Sequence, residues 1–259
     1  MLDRRVLDHD VTVLVAPRLE SDGFLVAFSE RSGGVSDGPF RALNLGLKSG
    51  DHPDVVRENR RRLIGALGIA AFACPRQVHS TNVVRVGPES AGMGFVDPAN
   101  GIPAADALVT TSPAVPIAVL TADCVPVALV DPAAGEIAVV HAGWRGVAAG
   151  MVRAALGVFA NPAGVEAVVG PAVGPDHYEV GEDVAAAVSA ASEGGAITGR
   201  EKSRLLLDLP GTVALTLRNL GVRQVEHVEE CTACQPERFF SYRRDGRTGR
   251  QGLIAVRLS

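Results

Sequence analysis

A cysteine and a histidine stand where a hairpin would bring them together. The chain reads ThrAlaAspCys at 121–124 and continues ValProValAlaLeuVal over 125–130. AspProAlaAlaGly (131–135) breaks the run, and GluIleAlaValValHis follows at 136–141. Two apolar, β-branched runs around a short Pro/Gly loop predict an antiparallel hairpin. With the loop centred near Ala133, Cys124 falls opposite His141 or its neighbour, and opposed side chains have Cβ atoms about 5 Å apart. A thiolate and an imidazole at that separation suit zinc or copper, not magnesium or calcium. A third ligand is needed, and His79, in ArgGlnValHisSer (76–80), is a candidate; spacing alone does not select it over the other histidines. Three protein ligands with one position left open is the pattern of a catalytic metal rather than a closed structural one.

Further chemistry surrounds the pair. Gly143–Trp144–Arg145–Gly146 follows the histidine, and glycines flanking a Trp–Arg pair suit backbone held close to a ligand, a stacking ring and an anion-binding fork. Asp123 adjoins the cysteine and is a candidate proton carrier or orienting group. In a regular strand it would point to the opposite face from Cys124, unless a bulge intervenes. Trp144 and Tyr178 are candidate rings for stacking on a base. ArgArgAspGlyArgThrGlyArgGln (243–251), which Arg243 opens, reads by composition as a solvated loop or as an anion site, since guanidinium forks match phosphate. Asn44, in LeuAsnLeuGly, is a turn residue by type, and Arg60, in GluAsnArgArgArg, is a helix surface charge. GlyProAlaValGly (170–174) lacks the spacing of a phosphate-binding fingerprint and reads as a turn. CysThrAlaCys (231–234) is a CxxC without a second CxxC or a thioredoxin pattern around it, which reads as a turn with a packed thiol.

These residues need a scaffold. Strands are expected over 11–17, 24–29, 82–86, 105–110, 117–121, 165–170, 222–228 and 253–258, besides the hairpin. Helices are expected over 54–68, 146–160, 180–190 and 210–221, with a Gly-rich loop at 31–40 and a flexible loop around Gly194–Gly195. Alternating strands and helices with hairpins among them predict an α/β (α+β) fold, a layered sandwich of mixed β-sheets with flanking helices. No repeat or linker divides residues 1–259, so a single domain is expected. At 47% hydrophobic, the 259 residues can fill a sizeable core. A net charge of −4 argues against nucleic acid or anionic membrane as a partner. No apolar signal core opens the chain and no run approaches ~20 apolar residues. Four cysteines make no disulfide framework at this length. A reduced, cytoplasmic enzyme is the expectation, as monomer or homodimer.

GlnValHis (77–79), ThrAlaAspCys (121–124), HisAlaGlyTrpArgGly (141–146) and PheSerTyrArgArgAspGly (240–246) together resemble the bacterial polyphenol oxidase/laccase-like family, whose members are now mostly described as purine nucleoside phosphorylases. PheSerGluArgSerGlyGlyValSer (28–36), LeuAsnLeuGly (43–46), GluAsnArg (58–60) and GlyProAlaValGly (170–174) extend the resemblance from about Gly23 to the C-terminus. It implies that His79, Cys124 and His141 hold Zn2+, with copper as the other fit. It also implies that Asn44 and the 243–251 segment face substrate; with the residues read above, Asp123, Arg145 and Asn44 are the catalytic candidates and Arg60 a substrate-binding one. The implied reaction takes adenosine, inosine or methylthioadenosine with phosphate to base and sugar 1-phosphate, with deamination of adenosine beside it. A peptidoglycan-precursor editing hydrolase and a copper polyphenol oxidase are the alternatives. Laccase chemistry needs a type 1 copper and a trinuclear cluster built largely from His-x-His pairs. This chain has six histidines (His9, His52, His79, His141, His177, His227) and no such pair.

Overall fold

The computed structural model describes residues 1–192, 196–201 and 204–258. In chain order the strands are β1 (Asp3–Val6), β2 (Thr12–Val15), β3 (Phe24–Ser29), β4 (Val83–Arg85), β5 (Ala107–Thr110), β6 (Ile117–Thr121) and β7 (Val125–Asp131). They continue with β8 (Glu136–Ala142), β9 (Glu166–Val169), β10 (Glu179–Val180), β11 (Ile197–Glu201), β12 (Arg204–Leu207), β13 (Gln224–His227) and β14 (Gln251–Arg257). One sheet, in the order β1-β2-β3-β14-β6, is antiparallel throughout. A second, β13-β9-β7-β8-β5-β4, is mixed, with parallel pairs at its two ends. The short β10-β12-β11 sheet lies apart from both.

The two large sheets pack face to face. Phe24, Val26, Phe28, Val119 and Leu253 from the first meet Leu108, Val130, Ile137 and Val139 from the second in one buried cluster. The outer face of the first sheet (Val13, Leu25, Ile254) is covered by Leu63 of the Pro53–Leu67 helix. The outer face of the second (Val127, Leu129, Val140) is covered by Met151, Leu156, Val213 and Leu217 from helices. Strands buried on both faces cannot alternate apolar with polar, which is why β7 and β8 read as continuous apolar runs. The layered α/β sandwich inferred from the element pattern is the observed architecture.

The elements differ from expectation in detail. The expected 146–160 helix is two short ones, Trp144–Ala148 and Met151–Leu156, because Gly150 adopts a left-handed φ of +93° that no continuous helix admits. The Pro53–Leu67 helix begins with proline in its first turn and ends at Gly68, φ +66°. Strands β1, β10, β11 and β12 carry too little apolar periodicity to be expected. The loop at Gly194–Gly195 lies outside the described residues. No helix among the described residues is long and apolar enough to cross a membrane.

The sheet-to-sheet contact is tight where β9 ends. A Cβ on Gly170 would lie 2.1 Å from Phe28 Cε1, and Phe28 is itself in the inter-sheet cluster. Gly170→Ala is therefore expected to cost about 1–3 kcal/mol. In a chain of this size that lowers the melting temperature by roughly 2–4 °C per kcal/mol, measurable by calorimetry.

Candidate metal and substrate site

The site forms where the chain passes from one sheet to the other. β6 belongs to the antiparallel sheet and β7 to the mixed one, and residues 122–124 make the crossing. Asp123 adopts φ +87°, a left-handed conformation that aspartate tolerates better than most residues. This interruption abolishes regular alternation, so Asp123 and Cys124 both line the same cavity. The hairpin register pairs Val125 with Ala142 and Pro126 with His141. Cys124 thus lies beyond the last pair, diagonal to His141 rather than opposite it. The position facing Cys124 across the hairpin end is Gly143, and no side chain fits there. A Cβ would lie 3.1 Å from Cys124 Sγ and 2.6 Å from His79 Cδ2.

His79, Cys124 and His141 converge, with their ligand atoms within 4.8 Å of one another. Cys124 Sγ lies 3.8 Å from His79 Nε2, and the two imidazoles stand edge to face with centroids 4.7 Å apart. Around a tetrahedral zinc with ordinary bond lengths, sulfur and nitrogen ligands are about 3.6 Å apart, so the observed separation fits that geometry. The donor set of one thiolate and two imidazoles suits zinc or copper.

Asp106, fully buried at the start of β5, holds both histidines. Its carboxylate accepts from the backbone N–H of Val78 (3.2 Å), His79 (2.9 Å) and Ser80 (2.7 Å), and from Ser80 Oγ (2.9 Å). These bonds stabilise the loop in which His79 takes φ +61°, a conformation that costs a non-glycine residue about 1–2 kcal/mol. His141 Nδ1 donates to the same carboxylate at 2.8 Å, and His141 N–H donates to Asp106 O at 2.7 Å. With Nδ1 so engaged, Nε2 is the ring nitrogen left for a metal. Burial opposes the charge on Asp106, but the His141 and Ser80 hydrogen bonds hold its carboxyl well below the usual range.

Burial would likewise raise the Cys124 thiol. The charge of His141, with hydrogen bonds from both histidines, outweighs it and brings the thiol down to about 6. The same pairing, with Asp106 behind it, lifts His141 to about 9 against its desolvation. A thiolate facing two histidines is a preformed ligand set.

The cluster opens into a cavity of about 520 Å³, within the range of small-molecule sites. Cationic side chains dominate its charged lining: Lys48, Arg60, Arg76, Arg243 and Arg250, against the single carboxylate of Asp123. Trp144 and Tyr178 supply rings. Burial and the Cys124 charge push the Tyr178 phenol up to about 12, so its ring stays neutral, with the Arg243 guanidinium 5.0 Å from its centroid. Asp123 accepts from Thr232 Oγ1 (2.6 Å) and from the Arg243 backbone N–H (2.5 Å). It therefore ties two further segments to the cavity wall.

The structure does not bring every candidate to the cavity. Arg145 is exposed and stacked on Trp144 at 4.6 Å, outside the lining. The Asn44 amide is buried and fully engaged: it donates to Ser49 Oγ and Asp51 and accepts from the N–H groups of Gly46 and Arg250. Asn44 thus shapes the loop carrying Lys48 instead of facing the cavity. Arg60 is no surface charge. It is 2% exposed, donates to the carbonyls of Leu45, Gly94 and Phe95, and still reaches the lining. Asp106, Lys48 and Arg76 went unnoticed in the sequence; only Asp106, a carboxylate opening an apolar strand, carried a visible signal.

Removing the orienting carboxylate is expected to loosen the ligands. Asp106→Asn places N–H where five donors already point, and zinc affinity should fall on the order of 10–100-fold in competition with a chromophoric chelator. Gly143→Ala should abolish tight binding altogether, and retention of wild-type affinity by that variant would sink the ligand assignment.

The chain is similar to known proteins over nearly its whole length. A family model described as "Multi-copper polyphenol oxidoreductase laccase" matches residues 25–257. A Deinococcus radiodurans protein named "Purine nucleoside phosphorylase" is 43% identical over 235 residues, covering 88% of this chain and 87% of the relative. "Purine nucleoside phosphorylase YfiH" of Escherichia coli K12 is 37% identical over 242 residues, covering 92% and 96%. The crystal structure of YlmD from Geobacillus stearothermophilus superimposes with a TM-score of 0.91 at 33% identity, over 95% of this chain and 96% of that one. A fold shared over nearly the whole length and relatives above 30% identity together place the chain in the polyphenol oxidase/laccase-like family that includes the YfiH and YlmD purine nucleoside phosphorylases.

Proposed function

We propose that the protein is a zinc-dependent purine nucleoside phosphorylase, taking adenosine, inosine or methylthioadenosine with phosphate to free base and sugar 1-phosphate, with adenosine deamination as a side activity. The observation that carries this reading is the cavity itself: a His/His/Cys cluster opens onto a lining rich in cations that also carries the rings of Trp144 and Tyr178. Phosphate calls for guanidinium and ammonium donors, and a purine calls for a π-face. The names of the relatives above support the same class of substrate.

Zinc, when bound by His79, Cys124 and His141, supplies Lewis acidity at a position those ligands leave open. The chain's own residues do the rest. Lys48, Arg76, Arg243 and Arg250 attract and orient phosphate. Trp144 and Tyr178 sandwich or edge the purine. Asp123, held by Thr232 and the Arg243 N–H, keeps a carboxylate at the cavity wall, where it can orient a sugar hydroxyl or carry a proton. Arg60 holds the floor through three carbonyls. A laccase cycle finds no support: among the described residues, only His79, His141 and His177 join candidate metal clusters.

Chromatography of adenosine and inosine incubated with purified protein tests the reaction. Adenine and hypoxanthine should appear only with phosphate present, and inosine from adenosine without it. Turnover of a serine-containing wall precursor, with every nucleoside left intact, would install the editing reaction in its place. The Cys124→Ala/His141→Ala variant should lose all nucleoside turnover. Arg243→Ala should raise the KM for phosphate by roughly tenfold, the scale of one charge-assisted contact at an exposed position, with zinc content unchanged. Arg145→Lys, outside the lining, should leave phosphate saturation as it is.

A further inference from the structure

The CxxC at Cys231–Cys234 lies outside the cavity lining. The fold nevertheless gives it a partner that sequence distance concealed. His177, in the short Pro175–His177 turn, places Nδ1 3.9 Å from Cys231 Sγ and 3.5 Å from Cys234 Sγ. The three ligand atoms lie within 4.8 Å of one another, and both cysteines are free thiols. One imidazole nitrogen carries one proton or one lone pair, so it cannot make two good hydrogen bonds to two sulfurs. Facing both at similar range is what it would do with an ion between them. Tetrahedral zinc, with Zn–S about 2.3 Å and Zn–N about 2.0–2.1 Å, sets sulfur–nitrogen separations of about 3.6 Å, and the observed pair brackets that value.

The backbone around Cys231 suits ligation by its sulfur. The Gly174 N–H donates to Cys231 Sγ at 3.2 Å, the kind of hydrogen bond that stabilises a sulfur anion. His177 and Cys234 are exposed, so an ion has open access. Two thiolates and an imidazole favour zinc over the hard divalent cations.

We propose that His177, Cys231 and Cys234 form a second zinc site, separate from His79, Cys124 and His141, which staples two segments together, one of them in the cavity wall. One segment runs from Ala172 through His177 to Tyr178. The other is the 231–234 turn. They already touch through the Ala172–Cys231 bridge and the Thr232 N–H to Ala172 O bond of 2.9 Å. Thr232 in turn donates to Asp123, the neighbour of Cys124. An ion here would fix Tyr178 and Asp123 through the backbone without touching substrate.

Metal stoichiometry tests this, whatever the first cluster does. Protein purified under reducing conditions, stripped with chelator and titrated with zinc should bind one equivalent more than Cys231→Ser/Cys234→Ser, by elemental analysis. Titrated with cobalt instead, that variant should lose about two thirds of the thiolate charge-transfer absorption, two of three sulfurs having gone. Cys124→Ala/His141→Ala should keep one equivalent, and zinc should raise its melting temperature by a few degrees. His177→Ala should weaken that remaining site at least tenfold. Equal zinc content in wild type and Cys231→Ser/Cys234→Ser, or a Cys231–Cys234 disulfide in the zinc-loaded reduced protein, overturns the proposal. Binding without any rise in melting temperature overturns the staple. Failure of the first cluster has a different signature: Cys231→Ser/Cys234→Ser then binds no zinc while the wild type binds one.

Discussion

One buried carboxylate organises the site. Asp106 accepts hydrogen bonds from three successive backbone N–H groups of the His79 loop and from the His141 ring. A loop with a left-handed histidine and an imidazole with a chosen tautomer are both costly to hold, and a single anion holds both. Its own desolvation is offset by those same donors. Two ligands that lie 62 residues apart in the chain thereby acquire a fixed relation, and the Cys124 thiolate is stabilised by the imidazoles that result.

The second constraint is topological. The site sits where β6 leaves one sheet and β7 enters the other. A crossing between packed sheets must break the strand, and the break frees residues 122–124 from pairing. Their side chains then turn to one cavity instead of alternating between two faces. Gly143 completes the arrangement by leaving empty the volume that His79 and Cys124 require. Backbone irregularity here serves chemistry, as it commonly does at the ends of well-packed scaffolds.

The cavity's charge follows from distant segments. Lys48 and Arg76 come from N-terminal loops, and Arg243 and Arg250 from the segment leading into β14. A chain with net charge −4 thus concentrates positive potential at one place. Bulk charge described the partners the protein avoids; the local field describes the anion it suits. The same wall carries Tyr178, so the cations and the ring that suit a nucleoside and phosphate are neighbours.

Much was legible in the order of residues. The hairpin, the Pro53–Leu67 helix, the alternation of strands and helices and the His79/Cys124/His141 set followed from local periodicity, turn residues and motif resemblance. Those signals are local because hydrogen bonding and side-chain period are local. What only tertiary structure decided involved long loops closing. Asp106 reaching His79 and His141, Asn44 turning inward to brace a loop, Arg60 sinking beneath three carbonyls, and His177 meeting Cys231 and Cys234 are all pairings across tens of residues. No spacing encodes them, because the sheets bring such residues together after the chain has crossed from one to the other. The residue types and the ligand candidates belonged to the sequence. Which of them face the cavity, and which are fully occupied in holding it open, was settled by packing.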